Sequence, residues 1–136
     1  MKILHLVESY PPFKGGMSEV VRQISERLAK YGHDITVATT AHSERYNDNL
    51  LNPKIKEFNI SGNWVYGYKG DTESFIRFLK KNDYDLIVVF AAQQWSCDLF
   101  LENIKEIGAK KIFVPTGFSG LKDSEFKKYF SNMKEW

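Results

Sequence analysis

The sequence predicts an α/β domain with a doubly wound, mainly parallel sheet and helices on both faces. Three observations predict it. Short β-branched runs alternate with longer runs at helical spacing, the order expected of successive β-α-β units. The run "YDLIVVFA", residues 84–91, is apolar on both faces, as a strand covered by helices on two sides must be. No linker, internal repeat or low-complexity segment interrupts the alternation, so a single domain spans residues 1–136.

The elements follow in order. "KILHLV" is a short apolar run bounded by turn formers and reads as a buried strand. From Met17 to Tyr31 the period changes. Met17, Val20, Val21, Ile24 and Leu28 fall on one helical face, and Glu19, Arg22, Gln23, Glu26 and Lys30 on the other. Gly32 ends this helix at a position where a positive φ is cheap for glycine. "DITVATT" is a second β-branched strand. Residues 41–53 are polar and read as a loop. "KIKEFNI" and "NWVYGY" are weaker strands separated by Ser61-Gly62. Asp71 or Thr72 caps the helix "TESFIRFLKKN", with Phe75, Phe78 and Leu79 inward. The strongest strand, ending at Ala91, leads into the helix "SCDLFLENIKEIG", which Gly108 ends. "KKIFVP" is a further strand and "KDSEFKKYFSNMKEW" a further helix.

Composition narrows the function classes. The chain is 43% hydrophobic, 26% charged and 15% aromatic, which describes a folded globular protein. A net charge of +2, without a block of basic residues interleaved with aromatics, argues against a nucleic-acid partner. One cysteine, Cys97, excludes an internal disulfide and a multi-cysteine metal site. His5, His33 and His42 lack ligand spacing, so neither a metal nor another cofactor is expected. No run reaches the length of a membrane span or a signal-peptide core, which makes a cytoplasmic location the expectation.

In doubly wound sheets, ligands bind at the carboxyl ends of the strands, where strand order reverses. The loop after the first strand, "ESYPPFKGG", lies there. Gly15 and Gly16 stand at a helix start, where free N–H groups and the helix dipole favour an anion. Lys14 adds a positive charge, and Pro11 and Pro12 stiffen the entry. Taken alone, the double glycine reads as a plain turn. It is neither the G-x-G-x-x-G fingerprint nor a P-loop.

The wider context carries more. "MKILHLVESYPPFKGGMSEVVRQISERLAKYGHDITVATT" resembles the opening of the family 4 retaining glycosyltransferases, which have the GT-B fold. The matching features are the first strand, "YPPFKGG", the amphipathic helix with "LAKYGHDITVAT", and the second strand. Beyond these 40 residues the resemblance continues only in element order. It implies a Rossmann-like first domain of an enzyme that transfers a sugar from a nucleotide-sugar to an acceptor. In such enzymes the glycine loop lies against the donor diphosphate and the transferred sugar. The first domain holds mainly the acceptor, and a second domain holds the nucleotide. The resemblance assigns the diphosphate and sugar to Lys14, Gly15 and Gly16. It makes Glu8, Gln93, Gln94, Trp95, Thr116 and Gly117 candidate contacts to acceptor or sugar. The acceptor itself is not named by the sequence. No metal is implied. The alternative is a non-catalytic, Rossmann-like module that binds phosphate or sugar.

Departures from the family pattern shape these expectations. Relatives often carry a histidine in a "PHG"-like setting where this chain has Thr116 in "FVPTGFSG", and histidines where it has "FAAQQWSCD". Thr116, Gln93 and Gln94 offer hydrogen bonds but no acid or base near neutral pH. Glu8 reads equally as an acceptor contact or a solvated carboxylate. His5, His33 and Cys97 read as packing residues, and burial is the stronger expectation for Trp95. The family's second domain and its paired-glutamate motif have no counterpart here, so the chain is expected to be an incomplete, acceptor-side half. Phe126, Tyr129, Phe130, Met133 and Trp136 form an apolar stripe near Lys127, Lys128 and Lys134. Phe126 and Phe130 are expected to be buried against the sheet, and the last turn at Trp136 to be frayed or held by a neighbouring chain. Any exposed part of the stripe would favour self-association or a peripheral contact at the inner face of a membrane.

Overall fold

The computed structural model describes residues 1–45, 52–81 and 83–136. Of the predicted loop at 41–53, residues 46–51 lie outside the described residues, as does Asn82 at the end of the predicted second helix.

Five parallel strands form the main sheet: β1 (Lys2–Leu6), β2 (Asp34–Thr40), β3 (Lys54–Phe58), β6 (Leu86–Phe90) and β7 (Lys110–Val114). Their spatial order is β3-β2-β1-β6-β7. The order reverses between β1 and β6, which makes this a Rossmann-like, doubly wound sheet with its crevice at that junction. Register pairs His5 with Val37 on one side and Val88 on the other. Between β3 and β6 the chain makes a separate antiparallel hairpin of β4 (Ile60–Asn63) and β5 (Gly67–Gly70).

Side-chain alternation along β1 sends residues to opposite faces. Ile3 and Val7 join Ile35, Val37 and Val88 beneath α1 (Gly16–Lys30). Leu4 and Leu6 join Ile87 and Val89 beneath α2 (Thr72–Lys81) and α3 (Trp95–Glu102). Helices thus cover both faces, as expected. Gly32 follows the end of α1 at φ 86°, and Asp71 caps α2 by accepting from the Ser74 N–H at 3.0 Å.

Several elements differ from expectation. Val20, placed inward by the pattern, is 47% exposed, because α1 approaches the sheet through Ser18, Val21 and Ser25. "KIKEFNI" is split at Asn59. Residues through Phe58 extend the sheet, while Ile60 opens the hairpin. The predicted strand "NWVYGY" is mostly the hairpin turn. α3 ends at Glu102, followed by a 3-10 turn at Ile104–Glu106.

The C-terminal segment departs furthest. A 3-10 turn at Ser124–Phe126 precedes a short α4, Lys127–Asn132. Phe126 is buried, but against Tyr66 of the hairpin turn and Tyr129 rather than on the sheet. Phe130 is half-buried. Trp136 is not frayed: it meets Trp64 and Tyr129 edge-on and packs on the α2/α3 core. The physical reason is the hairpin. It lies over α3 and offers aromatic surface that covers much of the stripe within its own chain. Among the described residues, no helix is long and apolar enough to cross a membrane.

Candidate functional site

The carboxyl ends of β1, β6 and β7 carry the predicted site residues on two neighbouring loop systems. The first is the loop after β1. Its stem is fixed: the Phe13 N–H donates to the Tyr10 carbonyl at 3.2 Å, and the Ser18 hydroxyl donates to the Phe13 carbonyl at 2.7 Å. Its tip is open. Lys14, Gly15 and Gly16 are exposed, and Gly15 is the N-cap residue of α1. Among the described residues, no side chain caps this helix start. Gly15 has extended backbone, φ 165° and ψ 157°, which any residue adopts. A Cβ added at Gly15 or Gly16 would meet nothing within 4 Å. The fold therefore does not require glycine at either position. The tip, together with Arg22 and Glu19, borders a shallow pocket of about 380 Å3. Arg22 is held by Glu19 at 2.6 Å and Glu26 at 2.7 Å.

The second system follows β6 and β7. An open groove of about 540 Å3 is lined by Gln93, Gln94, Thr116 and Gly117, with Asn63 and Tyr66 of the hairpin on another side. Three residues here that are not glycine adopt left-handed backbone, each with φ 61°: Ala91, Gln93 and Thr116. Such conformations cost of order 1–2 kcal/mol each and concentrate where a chain is shaped for a ligand. Gln93 lines the groove but uses both ends of its amide on Ser119. Its Nε2 donates to the Ser119 carbonyl at 2.8 Å, and its Oε1 accepts from the Ser119 N–H at 2.7 Å. Gln94 stands at the N-cap position of α3 without a side-chain cap bond, and its buried Oε1 has no partner among the described residues.

Trp95 is corrected out of the site. It is fully buried, donates from Nε1 to the Thr40 hydroxyl at 2.8 Å, and packs edge-on against Phe58 and Phe75. No face of it is open to a sugar. Glu8 is half-buried beside β1, and burial, helped by the charge of Asp98, raises its pKa. His5 is a core residue. Its Nδ1 bonds the Ser25 hydroxyl at 2.8 Å, and burial lowers its pKa to about 4. Burial raises the pKa of the Cys97 thiol. A high thiol pKa and full burial make Cys97 inert.

Sequence reasoning missed two residues that hold the site together. Asp98 is fully buried on α3, accepting from the Tyr129 hydroxyl at 2.8 Å and the Trp64 N–H at 3.0 Å. Burial pushes its pKa up to about 6, against the opposing pull of these hydrogen bonds. Asp98 thereby ties the hairpin and the C-terminal segment to the wall of the groove, and Tyr129 in turn accepts from the Gln93 N–H at 3.2 Å. A lone acid inside the apolar run "CDLFL" was the available signal. Arg45, the other, donates to the Tyr10 and Pro11 carbonyls of the loop after β1 and lies in a polar stretch with no pattern to mark it.

The strand order and the loops at the carboxyl ends of β1, β6 and β7 define a Rossmann-like, doubly wound α/β domain. The sequence model of the family described as Glycosyltransferase Family 4 matches residues 14–107, well over half of the chain. The chain belongs to that family. The match takes in Lys14, Gly15, Gly16, Gln93 and Gln94, and leaves Glu8, Thr116 and Gly117 outside it. No curated protein matches the chain.

Proposed function

We propose that this chain is the acceptor-side domain of a GT-B glycosyltransferase. The enzyme moves a sugar from a nucleotide-sugar to an acceptor with retention of configuration, and a donor-binding domain supplies the nucleotide site. The observation that carries this reading is the pair Gly15 and Gly16. Both are free of any need imposed by the fold, and both stand at an uncapped helix start on the switch-point crevice. Glycine there leaves the backbone open to close approach by a ligand, and the helix start suits an anion.

The chemistry follows from the residue types. When the bond from sugar to diphosphate breaks, negative charge develops on the departing phosphate oxygen. Amides at the start of α1 and the Lys14 ammonium stabilise that charge. Thr116 and Gln94 offer hydrogen bonds to hydroxyls, not proton transfer. Glu8, in the loop after β1 and with a raised pKa, is the carboxyl offered to the acceptor. The rate enhancement rests on positioning and charge stabilisation.

The test is a titration of isotope-labelled protein followed through backbone amide signals. Uridine or guanosine diphosphate is expected to shift Gly15, Gly16 and Met17, and the parent nucleosides are not. Shifts that bypass the loop contradict the reading. The 136-residue chain alone is expected to transfer no sugar from nucleotide-sugars. Robust turnover by the purified chain contradicts the division of labour between two domains.

A further inference from the structure

We infer that Arg45 is the positioning residue of the glycine loop, holding its stem so that the tip meets a diphosphate already in shape. The inference rests on the reading of that loop as the diphosphate site. The Arg45 side chain is only 4% exposed although it lies in a polar stretch after β2. Its guanidinium forms an ion pair with Glu57 of β3. It also donates from Nε to the Pro11 carbonyl at 2.7 Å, from Nη2 to the Tyr10 carbonyl at 2.8 Å, and from Nη1 to the Thr40 carbonyl at 2.8 Å. One planar group thus joins the carboxyl ends of β1, β2 and β3. Glu57 is itself fixed by the His42 N–H at 2.9 Å, and the His42 ring meets Phe13 edge-on at 4.6 Å.

These contacts converge on residues 10–13, immediately before Lys14, Gly15 and Gly16. Glycine at the tip leaves the loop much conformational freedom, which an anion would have to remove on binding. A rigid stem removes part of that freedom in advance. A buried ion pair is weak evidence for stability, because apolar residues of the same size often serve as well. Two hydrogen bonds to consecutive loop carbonyls, by contrast, specify one backbone path. Lysine cannot reproduce them, since its ammonium is a point charge without the planar fork.

The experiment compares the parent chain with Arg45→Ala, Arg45→Lys and Glu57→Gln. Without ligand, hydrogen exchange is read at the Phe13 amide and at core amides of Leu4 and Val88. With inorganic pyrophosphate as the probe, affinity is read from the Gly15 and Gly16 amide shifts. In Arg45→Ala, Phe13 exchange is expected to accelerate and pyrophosphate affinity to fall by about tenfold each, the core amides staying protected. Millimolar guanidinium restores part of the affinity, methylammonium does not, and Arg45→Lys recovers little. Glu57→Gln, which keeps the acceptor but not its charge, shows a smaller loss. Unchanged Phe13 exchange in Arg45→Ala overturns the inference, and so does loss of core protection in step with Phe13 in all three variants. If the parent's Gly15 and Gly16 ignore pyrophosphate, the diphosphate reading fails, and Phe13 exchange alone then decides whether Arg45 fixes the loop.

Discussion

Glycine serves opposite ends in the β4–β5 hairpin and in the loop after β1. In the hairpin, Gly62 and Gly70 have φ 93° and 98°. A Cβ at Gly62 would lie 2.1 Å from the Gly67 carbonyl oxygen, and one at Gly70 would lie 1.9 Å from that of Asn59. No other residue fits either position. At Gly15 and Gly16 the backbone leaves open space. A serine at Gly15 would serve the helix better, since its hydroxyl can cap the N–H groups that glycine leaves open. The hairpin glycines answer to the fold. Those of the loop forgo a little stability, a sacrifice that the proposed ligand would explain.

The largest expected effect falls on the hairpin. Gly70→Ala should cost about 3 kcal/mol or more, because the positive φ and the collision with Asn59 act together. Urea unfolding measures it, and a cost under about 1 kcal/mol would break the contrast.

The next effect concerns Asp98, which holds the hairpin through Trp64. Asp98 keeps its proton up to about pH 6 in the folded chain, against 3.8 for the ordinary group. Between those values the folded state binds more protons, so this contribution falls as pH rises. His5 works the other way. Its folded value of about 4 lies below the usual 6.5, so the unfolded state binds more protons and stability rises with pH across that window. Each is worth about 3 kcal/mol, and the two oppose each other. Asp98→Asn removes the falling part. Its stability is expected to climb from pH 4 to pH 6.5, as urea midpoints across that range would show. A slope no steeper upward than the parent's would contradict the assignment. The smallest effect is at the loop: Gly16→Ala should raise stability by about 0.5 kcal/mol, measured by thermal unfolding.

Much of the fold was legible because β1 and β6 are apolar, β2 is rich in β-branched residues and the helices keep their period. The β3–β4 break was not, since Phe58, Asn59 and Ile60 keep a strand's alternation across Asn59 while the chain leaves the sheet. Of the site, the glycine loop was legible from its place between a strand and a helix. The groove residues Asn63 and Tyr66 were not, because they come from a hairpin mistaken for a strand. Arg45 was hidden for a different reason. Its carbonyl partners Tyr10 and Pro11 are 35 and 34 residues away, and no local pattern records so distant a hydrogen bond.

The central claim is that Gly15 is glycine for a ligand and not for the fold. Gly15→Leu tests it most directly, with unfolding free energy and the diphosphate-induced amide shifts read on the same sample. The account predicts stability within about 1 kcal/mol of the parent, the loss being that of a tolerated N-cap residue, and no diphosphate response at the start of α1. A variant that unfolds, or one that stays folded and responds to diphosphate as the parent does, would contradict it.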